Sequence, residues 1–181
     1  MIIKALHIVI LLLSLNCYSQ HSEEFVKLTS NLKTLDTIKV DLKYSNGNQK
    51  EIGTIYEYEF DGYIYSNFSG KHIQYYKDGS IAVECDYDDF GILLSSKYYY
   101  GDGNLWFSSK TLIIDTKSAN LKDFFKKSTE LTVTENEKNF RYDSKTCEYY
   151  LKKSGNRING KKTGVWITYF ENGEVKKEKS Y

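Results

Sequence analysis

The sequence predicts a mainly β protein: a meandering antiparallel sheet of stacked β-hairpins with one or two short helices. Three observations carry this. Segments with alternating apolar and polar residues end repeatedly in Asn-Gly or Asp-Gly, the strongest short-range hairpin signal. The chain holds 17 Tyr and 9 Phe but no proline, a composition that favours pleated, half-buried surfaces over helix. Glycines 79, 91 and 103 fall twelve residues apart, room for a strand, a turn and a strand, so two such units make a repeat of about 24 residues.

The first residues belong to a different class of segment. Lys4 precedes an apolar run from Ala5 to Leu15, followed by Asn16, Cys17, Tyr18, Ser19 and Gln20. That order reads as a secretory signal peptide over residues 1–19. The run is about half the roughly 20 residues that a transmembrane helix needs, and no second such run follows. Cleavage after Ser19 places Cys17 and Ser19 at the minus-three and minus-one positions, where small residues are needed. Leu13-Ser14-Leu15-Asn16-Cys17 also loosely resembles a lipobox, so cleavage before Cys17 with lipid on its sulfur is the alternative. Either route exports the protein to the periplasm, cell surface or medium.

Removing residues 1–19 deletes one of the 25 basic residues and leaves 24 against 24 acidic ones. A formally neutral chain has no strong pull toward nucleic acid, so none is expected as a partner. About 160 residues suffice for one ordinary core. Two cysteines remain, Cys85 and Cys147; two separate buried thiols are expected, and a disulfide, which export permits, is the alternative.

Taken in order, Ser22 to Leu35 places Phe25, Leu28, Leu32 and Leu35 at helical spacing behind Ser22 as N-cap, which predicts a helical cap over residues 20–36. At Thr37 the period changes to two: Ile38, Val40, Leu42 and Tyr44 alternate with Lys39, Asp41 and Lys43. This strand runs into Asn46-Gly47, a type I′ signal. Further strands surround Asp61-Gly62, Asp78-Gly79, Asp88-Asp89-Phe90-Gly91 and Gly101-Asp102-Gly103, so residues 37–181 form one β-repeat domain. A non-repeat insertion occupies about 112–146. It holds a strand Thr111 to Asp115, a helix over 116–129, and strands Glu130 to Thr134 and Phe140 to Asp143 around the polar turn Glu135 to Asn139.

The segment Asn159-Gly160-Lys161-Lys162-Thr163-Gly164-Val165-Trp166-Ile167-Thr168-Tyr169-Phe170-Glu171-Asn172-Gly173 resembles the bacterial MORN repeat variant, whose pattern is approximately G-x-x-x-G-x-W-x-x-Y-[YF]-x-[DN]-G. Tyr75-Tyr76-Lys77-Asp78-Gly79 and Tyr99-Tyr100-Gly101-Asp102-Gly103 resemble the same repeat without its Gly-x-Trp. The resemblance covers residues 44–107 and 147–181, and it implies stacked hairpins with repeat aromatics on one face. Many bacterial relatives carry the label antitoxin. In physical terms the glycine supplies positive φ, Asp or Asn closes the turn, and the aromatics are core or a binding face.

Chemistry is hard to find in the sequence. Asp86 to Gly91 starts like a calcium loop, but Phe90 and Lys97 stand where ligands are required. His21 and His72 have no Cys or His at metal-ligand spacing, Gly-x-Ser-x-Gly is absent, and no glycine-rich phosphate cradle occurs. His72 and Cys85 can meet across a hairpin. The expectation is a non-catalytic interaction module with no cofactor or metal, whose partner is a protein, a glycan or the membrane surface. A toxin-neutralising antitoxin or a structural spacer are the alternatives.

Overall fold

A computed structural model describes residues 20–126 and 131–181. The predicted signal peptide, residues 1–19, and the lipidation candidate Cys17 lie outside the described residues. The elements are α1 (Glu23–Thr29), β1 (Thr34–Lys43), β2 (Gln49–Phe60), β3 (Tyr63–Phe68), β4 (Gly70–Tyr75), β5 (Ile81–Tyr87), β6 (Leu93–Tyr99), β7 (Leu105–Thr116), α2 (Leu121–Lys126), β8 (Leu131–Asp143), β9 (Glu148–Ile158), β10 (Lys161–Tyr169) and β11 (Val175–Ser180).

All eleven strands form one antiparallel open sheet in the order β1-β2-β4-β5-β6-β7-β8-β9-β10-β11, with β3 also on β2. This is the predicted meander. β3 and β4 both run against β2, β3 along Ile55–Phe60 and β4 along Glu51–Ile52. They are two halves of one line, kinked at Ser69-Gly70, where Gly70 takes φ 64°.

Five turns share one construction, at residues 44–48, 76–80, 88–92, 100–104 and 170–174. In each, the first residue donates its N–H to the carbonyl of the fifth and accepts from the N–H of the fourth, a glycine, as at Tyr44, Gly47 and Asn48. Only the glycine has positive φ, so Asn46-Gly47 is not a type I′ pair. It belongs to a three-residue loop in which glycine makes the bulge that follows a tight turn. Both central residues have positive φ at Asp61-Gly62 and Asn159-Gly160, which close two-residue hairpins.

α1 begins as expected: the Ser22 hydroxyl accepts from the Phe25 N–H at 3.2 Å, and Glu23 and Glu24 sit in the positive first turn. It ends at Thr29, not at Leu35. The β-branched run Thr34, Thr37, Ile38 and Val40 recruits Leu35 into β1, where its side chain is exposed. A helical spacing of leucines here lost to strand pairing with β2.

Two further corrections concern the insertion. β7 runs unbroken to Thr116, so the helix is confined, within the described residues, to Leu121–Lys126. β8 runs through Glu135–Asn139 as continuous strand, where the sequence suggested a turn. Its polar side chains are satisfied sideways: Glu137 pairs with Arg157, Asn136 donates to Asn156 at 2.8 Å, and Asn139 donates to Glu137 at 2.8 Å. A sequence shows polar residues but not their cross-strand partners.

An aromatic cluster of the core gathers at one end of the sheet. Beyond Lys110 the β6 side of β7 is vacant, and Gln20–Ser22 lies along it, with a single parallel bridge from His21 to Ile114. Ile114 donates to the Gln20 carbonyl at 2.5 Å, and Ser22 donates to the Ile114 carbonyl at 2.8 Å. Phe25 is thereby brought against Phe90 and Phe124, and Phe125 stacks on Tyr65 at 4.2 Å. Tyr58 closes the cluster over Phe90. Both helices are thus pinned by aromatic edge and face contacts to the far end of β2–β3 and the β5–β6 turn.

Candidate binding surface

In an antiparallel meander alternate turns lie along the same border of the sheet. Turns 44–48, 76–80, 100–104, 143–148 and 170–174 therefore form one row, and the row is stitched together. The Tyr44 hydroxyl donates to the Tyr75 carbonyl at 2.7 Å and the Tyr76 hydroxyl to the Tyr99 carbonyl at 2.6 Å. Tyr149 donates to Asp102 Oδ2 at 2.8 Å. The repeat tyrosine is a cross-tie from one turn to the next.

Asp and Asn have a separate task. Asn46, Asp78, Asp102 and Asn172 each accept from the N–H two residues on, at 2.9–3.1 Å. The Asp78 carboxyl is held below the usual carboxylate range first by the Ser80 hydroxyl, and Asp102 by the Asn104 N–H and then Tyr149. A carboxyl lowered in the folded state contributes stability above its unfolded value, near 3.9, and loses it as pH falls through the lower folded value. On acidification below about pH 4 the Ser80 and Asn104 amide resonances are expected to titrate, while that of Asn48, bound to the amide of Asn46, stays put. Equal movement of all three would refute this account.

The repeat aromatics divide between core and surface. Trp166 is 1 % exposed; its indole lies over Gly155 and donates to the Asn156 carbonyl at 2.9 Å. Gly164, with φ 62°, makes this possible, because β9–β10 pairing lapses between Thr163 and Ile167. Tyr75, Tyr76, Tyr99 and Tyr169 are half-buried. Burial and then the Glu84 carboxylate push the Tyr99 hydroxyl up to about 12. Gly79, Gly103 and Gly173 supply the positive φ of their turns.

On the outside, Tyr100 is 38 %, Trp106 37 %, Tyr142 45 % and Phe170 39 % exposed. Tyr100 lies 6.3 Å from Trp106 and 5.3 Å from Tyr149, and Tyr149 lies 5.1 Å from Tyr142. These four rings make a continuous aromatic platform rimmed by Asp102. Trp106, Tyr142 and Tyr149 stand outside the Tyr-Tyr-x-Asp-Gly segments, so motif reading missed them. The cross-strand pair Tyr142–Tyr149 is set by β8–β9 register alone.

A second constellation crosses the middle of the sheet. His72, Cys85, Ser96, Ser109, Glu137 and Gly155 are direct neighbours on successive strands from β4 to β9. His72 and Cys85 do meet, and His72 Nε2 lies 2.6 Å from Glu51. Burial pushes the Cys85 thiol up, whereas a reactive cysteine needs its thiolate favoured. Cys85 is buried within β5 and Cys147 is exposed in the β8–β9 turn, and both are free thiols.

The acidic turn that starts like a calcium loop is spent on structure. Asp88 accepts from the Phe90 and Ile92 N–H groups and from His21, and Asp89 from Ser69. Among the described residues no group of three or more His, Cys, Asp or Glu is placed to hold a metal ion, and no helix is long and apolar enough to cross a membrane.

The fold and surface define a class, a single open sheet of hairpins with an aromatic turn border. Against known proteins, no family model, no curated protein and no solved structure matches the chain.

Proposed function

We propose that the protein is an exported, non-catalytic binding module of MORN-like hairpins that engages an envelope partner through its turn border. One observation carries the reading: Tyr100, Trp106, Tyr142 and Tyr149 form a contiguous platform, with three of the four rings more than a third exposed. Exposed aromatics cost solubility, and gathered into one patch they mark interaction sites. Two-torsion aromatics anchored by hydrogen bonds also lose little conformational freedom on binding. The signal-peptide pattern of residues 1–19 supports export.

The mature chain, residues 20–181, is expected to co-sediment with envelope fractions of the producing cell. Trp106→Ala combined with Tyr142→Ala is expected to weaken this at least about tenfold, because aromatic anchors each contribute 1–2 kcal/mol or more. Circular dichroism should be unchanged. Retention equal to that of the parent sinks the platform reading. Recovery of intact Met1 protein from the cytoplasm sinks export.

A further inference from the structure

A different group of residues, at the other end of the chain, gathers four cations around two aromatic rings. Lys153 Nζ lies 5.2 Å and Lys162 Nζ 4.6 Å from the Trp166 ring, with the Arg157 guanidinium at 5.3 Å. Lys162 Nζ is also 5.1 Å and Lys179 Nζ 4.5 Å from the Tyr181 ring, and that ring stands edge-on to Trp166 at 6.5 Å. The cations come from three strands, β9, β10 and β11. Register brings them together: Arg157 is opposite Lys162, and Trp166 is opposite Lys179.

Arg157 is already committed. Its guanidinium binds the Glu137 carboxylate and donates to the Gly160 carbonyl at 2.6 Å. Lys153, Lys162 and Lys179 have no carboxylate within ion-pair distance among the described residues. The mutual repulsion is felt at Lys153. Lys153 is lowered from the usual lysine value first by its contact with Lys162, then by burial and by the charges of Lys162 and Lys179. The aromatic faces offset part of this repulsion. They do not neutralise it.

We infer that Lys153, Lys162 and Lys179 form a site for a tetrahedral oxyanion, a phosphate or sulfate group, seated beside Trp166 and Tyr181. Compact ammonium groups suit a multiply charged oxyanion as point charges, whereas the planar fork that suits a carboxylate is already on Glu137. Tyr181 and Lys179 are exposed, so the site opens to solvent. This assignment is independent of the turn-border platform, which uses other residues.

The test uses residues 20–181 with Trp106→Phe, so that Trp166 is the remaining tryptophan. Sodium phosphate and sodium sulfate are titrated against sodium chloride at matched ionic strength, with Trp166 fluorescence and Tm as readouts. A saturable fluorescence change and a rise of a few degrees in Tm are expected, since an anion that binds only the folded state stabilises it. Lys162→Gln should abolish the response to either anion. Lys71→Gln, on β4, should respond as the parent does. Sedimentation with phosphatidylglycerol vesicles, and with phosphatidylcholine vesicles as control, separates the sources. Lys162-dependent binding to the anionic vesicles assigns the oxyanion to a lipid headgroup; binding of the free anions alone assigns it to a soluble phosphate or sulfate ester. A parent response no larger than that to chloride, or a Lys162→Gln protein that responds like the parent, overturns the site.

Discussion

Gly155→Ala is expected to destabilise the folded protein by about 3 kcal/mol, the upper range for overpacking a core. A Cβ on Gly155 would fall inside contact distance of the Trp166 ring atoms Cγ, Cδ2 and Cε2, the rigid middle of an indole and not the end of a flexible chain. The indole cannot retreat, because its Nε1–H is bonded to the Asn156 carbonyl and the side chain is buried. Trp166→Ala alone should cost about 3–5 kcal/mol through lost burial and the space left behind. The pair is diagnostic when combined. Gly155 lacks a positive φ. With the indole gone, alanine at 155 should be neutral or stabilise by about 0.4–1 kcal/mol by restricting the unfolded chain. Urea unfolding of the four proteins measures the coupling. Additive costs would show that Trp166 does not sit on Gly155.

The second large effect belongs to the opposite end of the sheet. Phe25→Ala should cost about 3–5 kcal/mol, since the ring is fully buried and contacts Phe90 and Phe124 while stacking on His21 at 4.6 Å. The loss should be local. Strands in a repeat sheet contact mainly their neighbours, so stability is a sum of nearby terms and regions can open separately. Amide exchange of Ser22 and Ile114, whose N–H groups bond across the His21–Ile114 bridge, is expected to accelerate while β9 and β10 stay protected. Uniform acceleration would show that the sheet unfolds as one unit and that α1 is integral to all of it.

These two ends also show where sequence reading succeeded. Strand alternation and the glycine positions are local properties: a period of two and a residue that tolerates positive φ need no distant partner to be recognised. Hence the meander, the five glycine turns and the Ser22 cap were legible. Helix length was not. Leu32 and Leu35 satisfy helical spacing, yet β2 offered Thr34–Lys43 a full ladder of hydrogen bonds that the isolated segment does not display. Glu135–Asn139 was misread for the same reason, because Asn156 and Arg157, about twenty residues away, turn polar side chains into cross-strand partners.

By itself the sequence determined the class of fold, the glycine positions of the turns and the Gly-x-Trp segment of β10, since each depends on backbone propensity over a few residues. Only the tertiary structure decided that Trp166 is core while Tyr100, Trp106 and Tyr142 are surface, that Cys85 and Cys147 stay apart, and that three lysines from three strands converge. Those outcomes depend on register and on which border a turn occupies. A shift of one residue in pairing would send every side chain of a strand to the opposite face.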